Sequence, residues 1–247
     1  MASTFFGLHI GSSALSSFQV ATNTTANNIA NVKTTGYTRQ EATLQAKDAI
    51  NVTARYGSVG TGVTVTSIKQ QRDLYYDNKY WENNSCYGRY EQKLYYTEQI
   101  QNYFKDNGSS VKGFSSVFSQ MFSDLDTLRS KPSDKTVRNQ FISSAQSLCT
   151  YFNQMSDNLS KLQDDCNEEI RNNVDKINSI SEKISLLNKE INQIETGTGV
   201  EASSLRDERA NLIDSLSKLV NVSYNETEVQ NTYGCLLYTS DAADDRI

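Results

Sequence analysis

One histidine, His9, and four widely separated cysteines are the only imidazole and thiol metal ligands in this 247-residue chain. Cys86, Cys149, Cys166 and Cys235 form no Cys-x-x-Cys pair, so neither a zinc site nor a disulfide framework is expected. Cys149 and Cys166 fall instead on a helical apolar stripe, where a thiol acts as a small hydrophobe. A basic excess is missing too. With 24 Lys and Arg against 29 Asp and Glu, a net charge of −5 and no Lys/Arg cluster, a nucleic-acid partner is not expected. No apolar run approaches the roughly 20 residues a membrane span needs. Nor does the N-terminus order a basic region, an apolar stretch and a cleavage site, so no cleaved secretory signal is expected.

Catalytic patterns are equally scarce. Asp164-Asp165, Glu168-Glu169 and Asp207-Glu208 are each adjacent on a predicted helix, where neighbours splay about 100° apart, so they read as solvated surface. His9 has no Ser/Asp or Cys pattern around it, no nucleophile elbow is present, and Gly57, Gly60 and Gly62 lead to no Gly-Lys-Ser/Thr. No enzyme activity, cofactor or metal follows from such a sequence. At 37 % hydrophobic with a single proline, the chain is polar for a compact globule, and its Asn, Gln, Ser and Thr suit protein–protein contact.

What is present begins at the N-terminus. Leu8, Gly11, Leu15, Phe18, Thr22, Thr25, Ile29 and Val32 recur in steps of three and four, which gives a helix one narrow seam for a partner helix. Residues 21–31 are rich in Thr and Asn, poor helix formers, so this helix should order mainly when something packs on it. Thr34-Thr35-Gly36 stops it; Gly36 should sit at positive φ and matter for its backbone rather than its lack of bulk, with Asn there milder than Val.

Tyr37–Ala46 and 63–68 alternate as strands of a small β-ribbon around a glycine-rich turn. Arg72–Lys105 is helical, with the stripe Tyr80, Tyr87, Tyr90, Leu94, Thr97, Ile100 and Phe104 as the semi-exposed flank of a bundle and Trp81 beside it, ended by Asn107-Gly108. A short amphipathic helix through Phe114, Phe118, Met121, Leu125 and Leu128 stops at Lys131-Pro132. From Asp134 to about residue 195 a coiled-coil-like stripe predicts one helix, with Phe152, Leu159, Cys166, Asn173, Ile180, Leu187 and Ile194 on a strict heptad rail. Such a rod, roughly 90 Å at 1.5 Å per residue, predicts an elongated molecule. A returning helix carries Leu205, Arg209, Leu212, Leu216 and Leu219, and residues 220–224 should pair with Glu228–Tyr233 as a hairpin.

Several of these stretches carry a resemblance. Phe5-x-Gly-Leu-x-Ile10, Asn27-Asn-Ile-Ala-Asn31 and Thr35-Gly-Tyr-x-Arg-Gln40 are similar to the N-terminal signature of flagellar axial proteins. The Gly36–Gln40 ending, Leu128-x-x-x-Pro132…Arg138, the run 177–188, and Leu205-Arg-Asp-x-Arg-x-x-Leu-Ile-Asp-x-Leu216 resemble the flagellar hook-associated protein 1 family. That resemblance implies a structural adaptor joining hook to filament. Its partners would be copies of itself in a ring or tube, hook protein, the second junction protein and, through a C-terminus lacking here, an export chaperone. It also implies an extracellular location, reached by type III export without cleavage. The assembly interface it points to is the seam (Leu8, Leu15, Phe18, Ile29) with the exit motif (Asn27, Asn28, Asn31, Gly36, Tyr37, Arg39, Gln40). Family members finish with a C-terminal helix packed on the N-terminal one; here the match fades after Tyr233 and the tail has no helical seam.

The expected organisation is mainly α: an elongated helical bundle or coiled-coil rod with a small β-ribbon and an N-terminal axial helix. Residues 1–35 form the axial helix, 36–70 the ribbon connector, 71–219 the rod, 220–233 the start of a truncated β-rich domain, and 234–247 a non-native tail. A rod- or hook-type axial protein and a cytoplasmic coiled-coil module are the alternatives. A generic coiled coil has no reason to follow its seam with Asn27–Gln40.

Overall fold

The computed structural model describes residues 5–51, 57–106, 113–230 and 236–241. The chain is mainly α, with helices α1 (Phe6–Ala30), α2 (Leu74–Tyr103), α3 (Phe114–Ser130), α4 (Lys135–Thr198) and α5 (Ser203–Ser217). Strand β1 (Gln40–Ala46) pairs antiparallel with β4 (Val63–Gln70), and β2 (Ile50–Asn51) with β3 (Ser58–Val59) beyond them. The chain divides into two compact units, Met1–Cys86 with Ile177–Ile247, and Tyr87–Lys176.

Local chemistry sets the helix starts. The Asp73 carboxylate accepts the Tyr75 N–H at 2.9 Å at the start of α2, and Asp134 accepts the Thr136 N–H at 2.8 Å at the start of α4, as helix-capping residues do. Asp106 caps α3 from outside the helix, accepting the Ser116 N–H at 2.8 Å and its hydroxyl at 2.6 Å. The Asn107-Gly108 stop expected after α2 lies outside the described residues.

In the first unit, Trp81, Ile184, Ile213 and Tyr224 form the core, with Ile180, Leu212, Leu216 and Val222 packed against it. The Trp81 ring meets Tyr224 edge-on at 5.5 Å, and its indole N–H donates to Asp214 Oδ1 at 2.6 Å. In the second unit, Phe114 of α3 lies 5.9 Å from Phe152 and 6.4 Å from Tyr151 of α4, and the Tyr96 hydroxyl of α2 donates to Glu169. That hydrogen bond, ahead of burial and the carboxylate's charge, holds the Tyr96 phenol well above its ordinary value.

Four expectations change. The α2 stripe faces outward: Tyr80, Tyr87, Tyr90 and Leu94 are exposed, whereas Trp81 and Gly88 are buried and Asn84 and Tyr96 half-buried. Asn84 explains the choice of face, because its amide donates to the Asp214 carbonyl at 3.1 Å and to Ser217 Oγ at 2.8 Å. On α4 the heptad rail holds through Cys166, Asn173, Ile180 and Leu187, but its members Phe152, Leu159 and Ile194 are exposed; Met155 and Ile191 of the same apolar stripe are buried, as is Glu195. Cys149 is exposed, as is Cys86; Cys166 is half-buried. Residues 221–224 form no strand, since Tyr224 turns into the core; the hairpin is β5 (Asn225–Gln230) with β6 (Leu236–Asp241). Tyr233 and most of the expected non-native tail, residues 234–235 and 242–247, lie outside the described residues.

Candidate functional site

Helix α1 has two faces of different chemistry. Phe6, Ile10, Ser13, Ala14, Val20 and Ala21 are half-buried, and Ser17 and Thr24 buried, in a stripe that meets the ribbon. The Ser17 hydroxyl donates to the Val63 carbonyl at 3.2 Å, and Ser13 Oγ accepts the Val63 N–H at 3.4 Å. The approach is close: Gly62, at φ +106°, would place a Cβ 2.1 Å from Ser13 Oγ. Sequence periodicity missed this face because its most buried members, Ser17 and Thr24, are polar. Within the Thr/Asn-rich stretch, Thr24 is buried on this face and the Asn28 amide donates to the Gln40 carbonyl.

The seam itself is open. Leu8, Leu15, Phe18, Ile29 and Val32 are between 61 % and 77 % exposed. Covering them against a partner would stabilise the assembly by about 1.5–3 kcal/mol each.

The exit motif closes on itself. Asn27 Nδ2 donates to the Tyr37 hydroxyl at 3.1 Å, and that hydroxyl donates to Asn28 Oδ1 at 2.8 Å. Asn28 Oδ1 also accepts the Gln40 N–H at 3.0 Å, while its amide donates to the Gln40 carbonyl at 2.8 Å. Asn31 joins by donating to Asn27 Oδ1 at 2.9 Å and accepting from Thr34 Oγ1 at 3.1 Å. Asn27, Asn28, Asn31, Tyr37 and Gln40 are thus one clasp that turns α1 into β1. The Arg39 side chain is exposed, and its carbonyl accepts the Gln71 N–H at 2.8 Å. Between the clasp and β1 runs a groove of about 610 Å³, lined in part by Ile29, Val32, Tyr37, Arg39 and Ala42.

Gly36 sits at φ +78°, as its place in the turn predicts, but bulk matters as well. A Cβ there would lie 1.8 Å from Asn211 Oδ1, because α5 presses against the turn. The stretch Leu205–Leu216 proves to be a polar hub. Arg206 pairs with Glu195 at 2.7 Å, and Arg209 donates to Asn188 Oδ1 at 3.1 Å and the Tyr224 hydroxyl at 2.6 Å. Asp207 is buried, and Glu208 beside it exposed. The solvated-surface expectation therefore fails for Asp207, whose carboxylate accepts the Thr38 N–H at 3.3 Å and Gln70 Nε2 at 2.8 Å. Burial first, and then the Asp207 charge, raises the Tyr37 phenol above its ordinary value against the Asn27 hydrogen bond. Burial pushes Glu195 up, but hydrogen bonds from Arg206 and the Ala202 N–H, with the Arg206 and Arg209 charges, hold it below its ordinary value. Burial raises Glu201.

Among the described residues no group of His, Cys, Asp and Glu could hold a metal ion, and no helix is long and apolar enough to cross a membrane.

Comparison with known proteins follows the same division of the chain. Residues 8–38, the helix and clasp, match the flagella basal body rod protein family, and residues 97–237 match the flagellar hook-associated protein FlgK helical domain. Together they define a protein of the flagellar axis. The chain belongs to the flagellar hook-associated protein FlgK family. It is 34 % identical over 234 residues to flagellar hook-associated protein 1 of Bacillus subtilis, covering 92 % of this chain and 46 % of that protein. The proteins of the same name from Salmonella typhimurium and Escherichia coli are 32 % and 31 % identical, with 89 % of this chain covered and 38 % and 39 % of theirs. The chain thus spans less than half the length of these curated relatives. The solved flagellar hook junction protein FlgK from Burkholderia pseudomallei shares the fold at 21 % identity, with a TM-score of 0.54 over 67 % of this chain and 27 % of that one.

Proposed function

We propose that the protein is a structural subunit of the bacterial flagellum, an adaptor that joins hook to filament by helical self-assembly. The observation that carries this reading is the open apolar seam of α1, whose opposite face is already used by the ribbon. A helix held on one side and apolar on the other is prepared to receive a partner helix. Copies of the same chain, hook protein and the second junction protein are the partners, with an export chaperone acting before assembly. The subunit works outside the cell after type III export without cleavage, and it carries out no catalysis. The rod-type match at residues 8–38 supports a shared axial helix, while the match at 97–237 favours the junction reading over a rod or hook subunit.

The test is complementation in cells lacking the full-length protein. Leu15→Asp with Phe18→Asp should abolish filament attachment and swimming while the purified subunit keeps its native helicity. Ser16→Asp, on an exposed position between the two faces, should be tolerated. Normal swimming with both seam residues charged would end the proposal.

A further inference from the structure

Both strands of the ribbon leave the helices at one place, and one carboxylate holds both. Asp207 of α5 accepts from the Thr38 backbone N–H, just before β1, and from the Gln70 side chain, the last residue of β4. Gln70 is tied further, its amide donating to the Ser203 carbonyl at 2.9 Å and its N–H to Glu201 Oε1 at 3.3 Å. Beyond this base the ribbon and α5 stand apart across a cleft of about 500 Å³, with Thr66 and Ile68 of β4 on one wall and Arg206 and Ala210 of α5 on the other. Since α1 lies along the ribbon through Ser13, Ser17 and Asn28, helix and ribbon form one arm attached at its foot.

We infer that Asp207 is a positioning residue: it latches the foot of the α1–ribbon arm to α5 and so sets the direction in which the seam is presented. The chemistry requires a carboxylate. Two donors converge on it, and a carboxylate offers an acceptor oxygen to each, whereas an amide would turn its own N–H toward one of them. The cleft leaves room for the arm to pivot once the latch is lost. The consequence for assembly rests on the function proposed above; the latch itself does not.

The test measures distances by double electron–electron resonance on the isolated chain, with Cys86, Cys149, Cys166 and Cys235 replaced by Ser. One label pair joins the arm to α5 through Thr25→Cys and Ser215→Cys; a second joins α2 to α5 through Asn83→Cys and Ser215→Cys. In Asp207→Asn the arm distribution should widen at least two-fold while the α2–α5 distribution stays unchanged. Asp207→Ser, which removes both acceptor oxygens and leaves the Gln70 bond to the Ser203 carbonyl in place, should widen the arm distribution in the same sense and decides the matter alone if the first variant fails to fold. An arm distribution unchanged in both variants, or both pairs widening alike, would overturn the latch. A widened arm in a full-length Asp207→Asn protein that still attaches filaments normally would leave the latch standing and remove its link to assembly.

Discussion

Replacing Gly36 by Ala should destabilise the first unit through two separable effects. The first is conformational. At φ +78° an L-residue with a Cβ costs roughly 1–2 kcal/mol relative to its relaxed backbone. The second is contact. The new methyl would lie 1.8 Å from Asn211 Oδ1 and 2.2 Å from Nδ2, the far end of a flexible side chain that must leave its rotamer at about 0.5–1.5 kcal/mol. The single variant should therefore lose about 1.5–3.5 kcal/mol, and in an Asn211→Ala background only the backbone part, ~1–2 kcal/mol, should remain. The assay is urea unfolding followed by tryptophan fluorescence. Trp81 is the chain's one tryptophan, is 2 % exposed and belongs to the same unit, so its signal reports that unit. Equal losses in the two backgrounds would show that Asn211 does not press on the turn. No loss in either would show that the turn is not left-handed.

Titration of two carboxylates should pull stability in opposite directions. Glu195 is held below its ordinary value of 4.5, so its contribution is present above that pH and is lost as pH falls through the lower folded value. Glu195→Gln should cost on the order of 2 kcal/mol at pH 7 in chemical unfolding, a loss that fades in acid. Glu201 is raised, so its ionisation opposes folding at neutral pH; Glu201→Gln should stabilise at pH 7, with the gain vanishing below the ordinary value of 4.5. Thiol labelling of the native chain should modify exposed Cys86 and Cys149 quickly and half-buried Cys166 slowly, as read by mass spectrometry after digestion.

Much of the fold was legible because long-period patterns dominate it. The stripe of α4, the capping Asp134 and the alternation of residues 63–68 each point to one element, and the structure places a helix or strand at each. Sequence reasoning went wrong where contact depends on polar or small groups. The inward face of α2 is built on Trp81, Asn84, Gly88 and Tyr96, and no hydrophobic count selects it over the row of tyrosines on the other side. The docking face of α1 was hidden for the same reason, behind Ser13, Ser17 and Thr24. In the site, the exit motif could be singled out, but its bonding within the chain could not. That depends on Tyr37 swinging back onto Asn27 and Asn28, ten and nine residues earlier. Asp207 gave no signal beyond its place in a shared stretch, because its two donors lie 169 and 137 residues away in sequence.

The central claim is that the seam of α1, open in this chain, is covered in the flagellum. Leu15 is 72 % exposed and lies mid-seam, so a cysteine there reports the event directly. Leu15→Cys in this 247-residue chain, with its other cysteines replaced by Ser, should react rapidly with a maleimide in solution. The same cysteine in the full-length protein, in flagella sheared from motile cells, should react at least ten-fold more slowly. Equal reactivity in the two states would contradict the account.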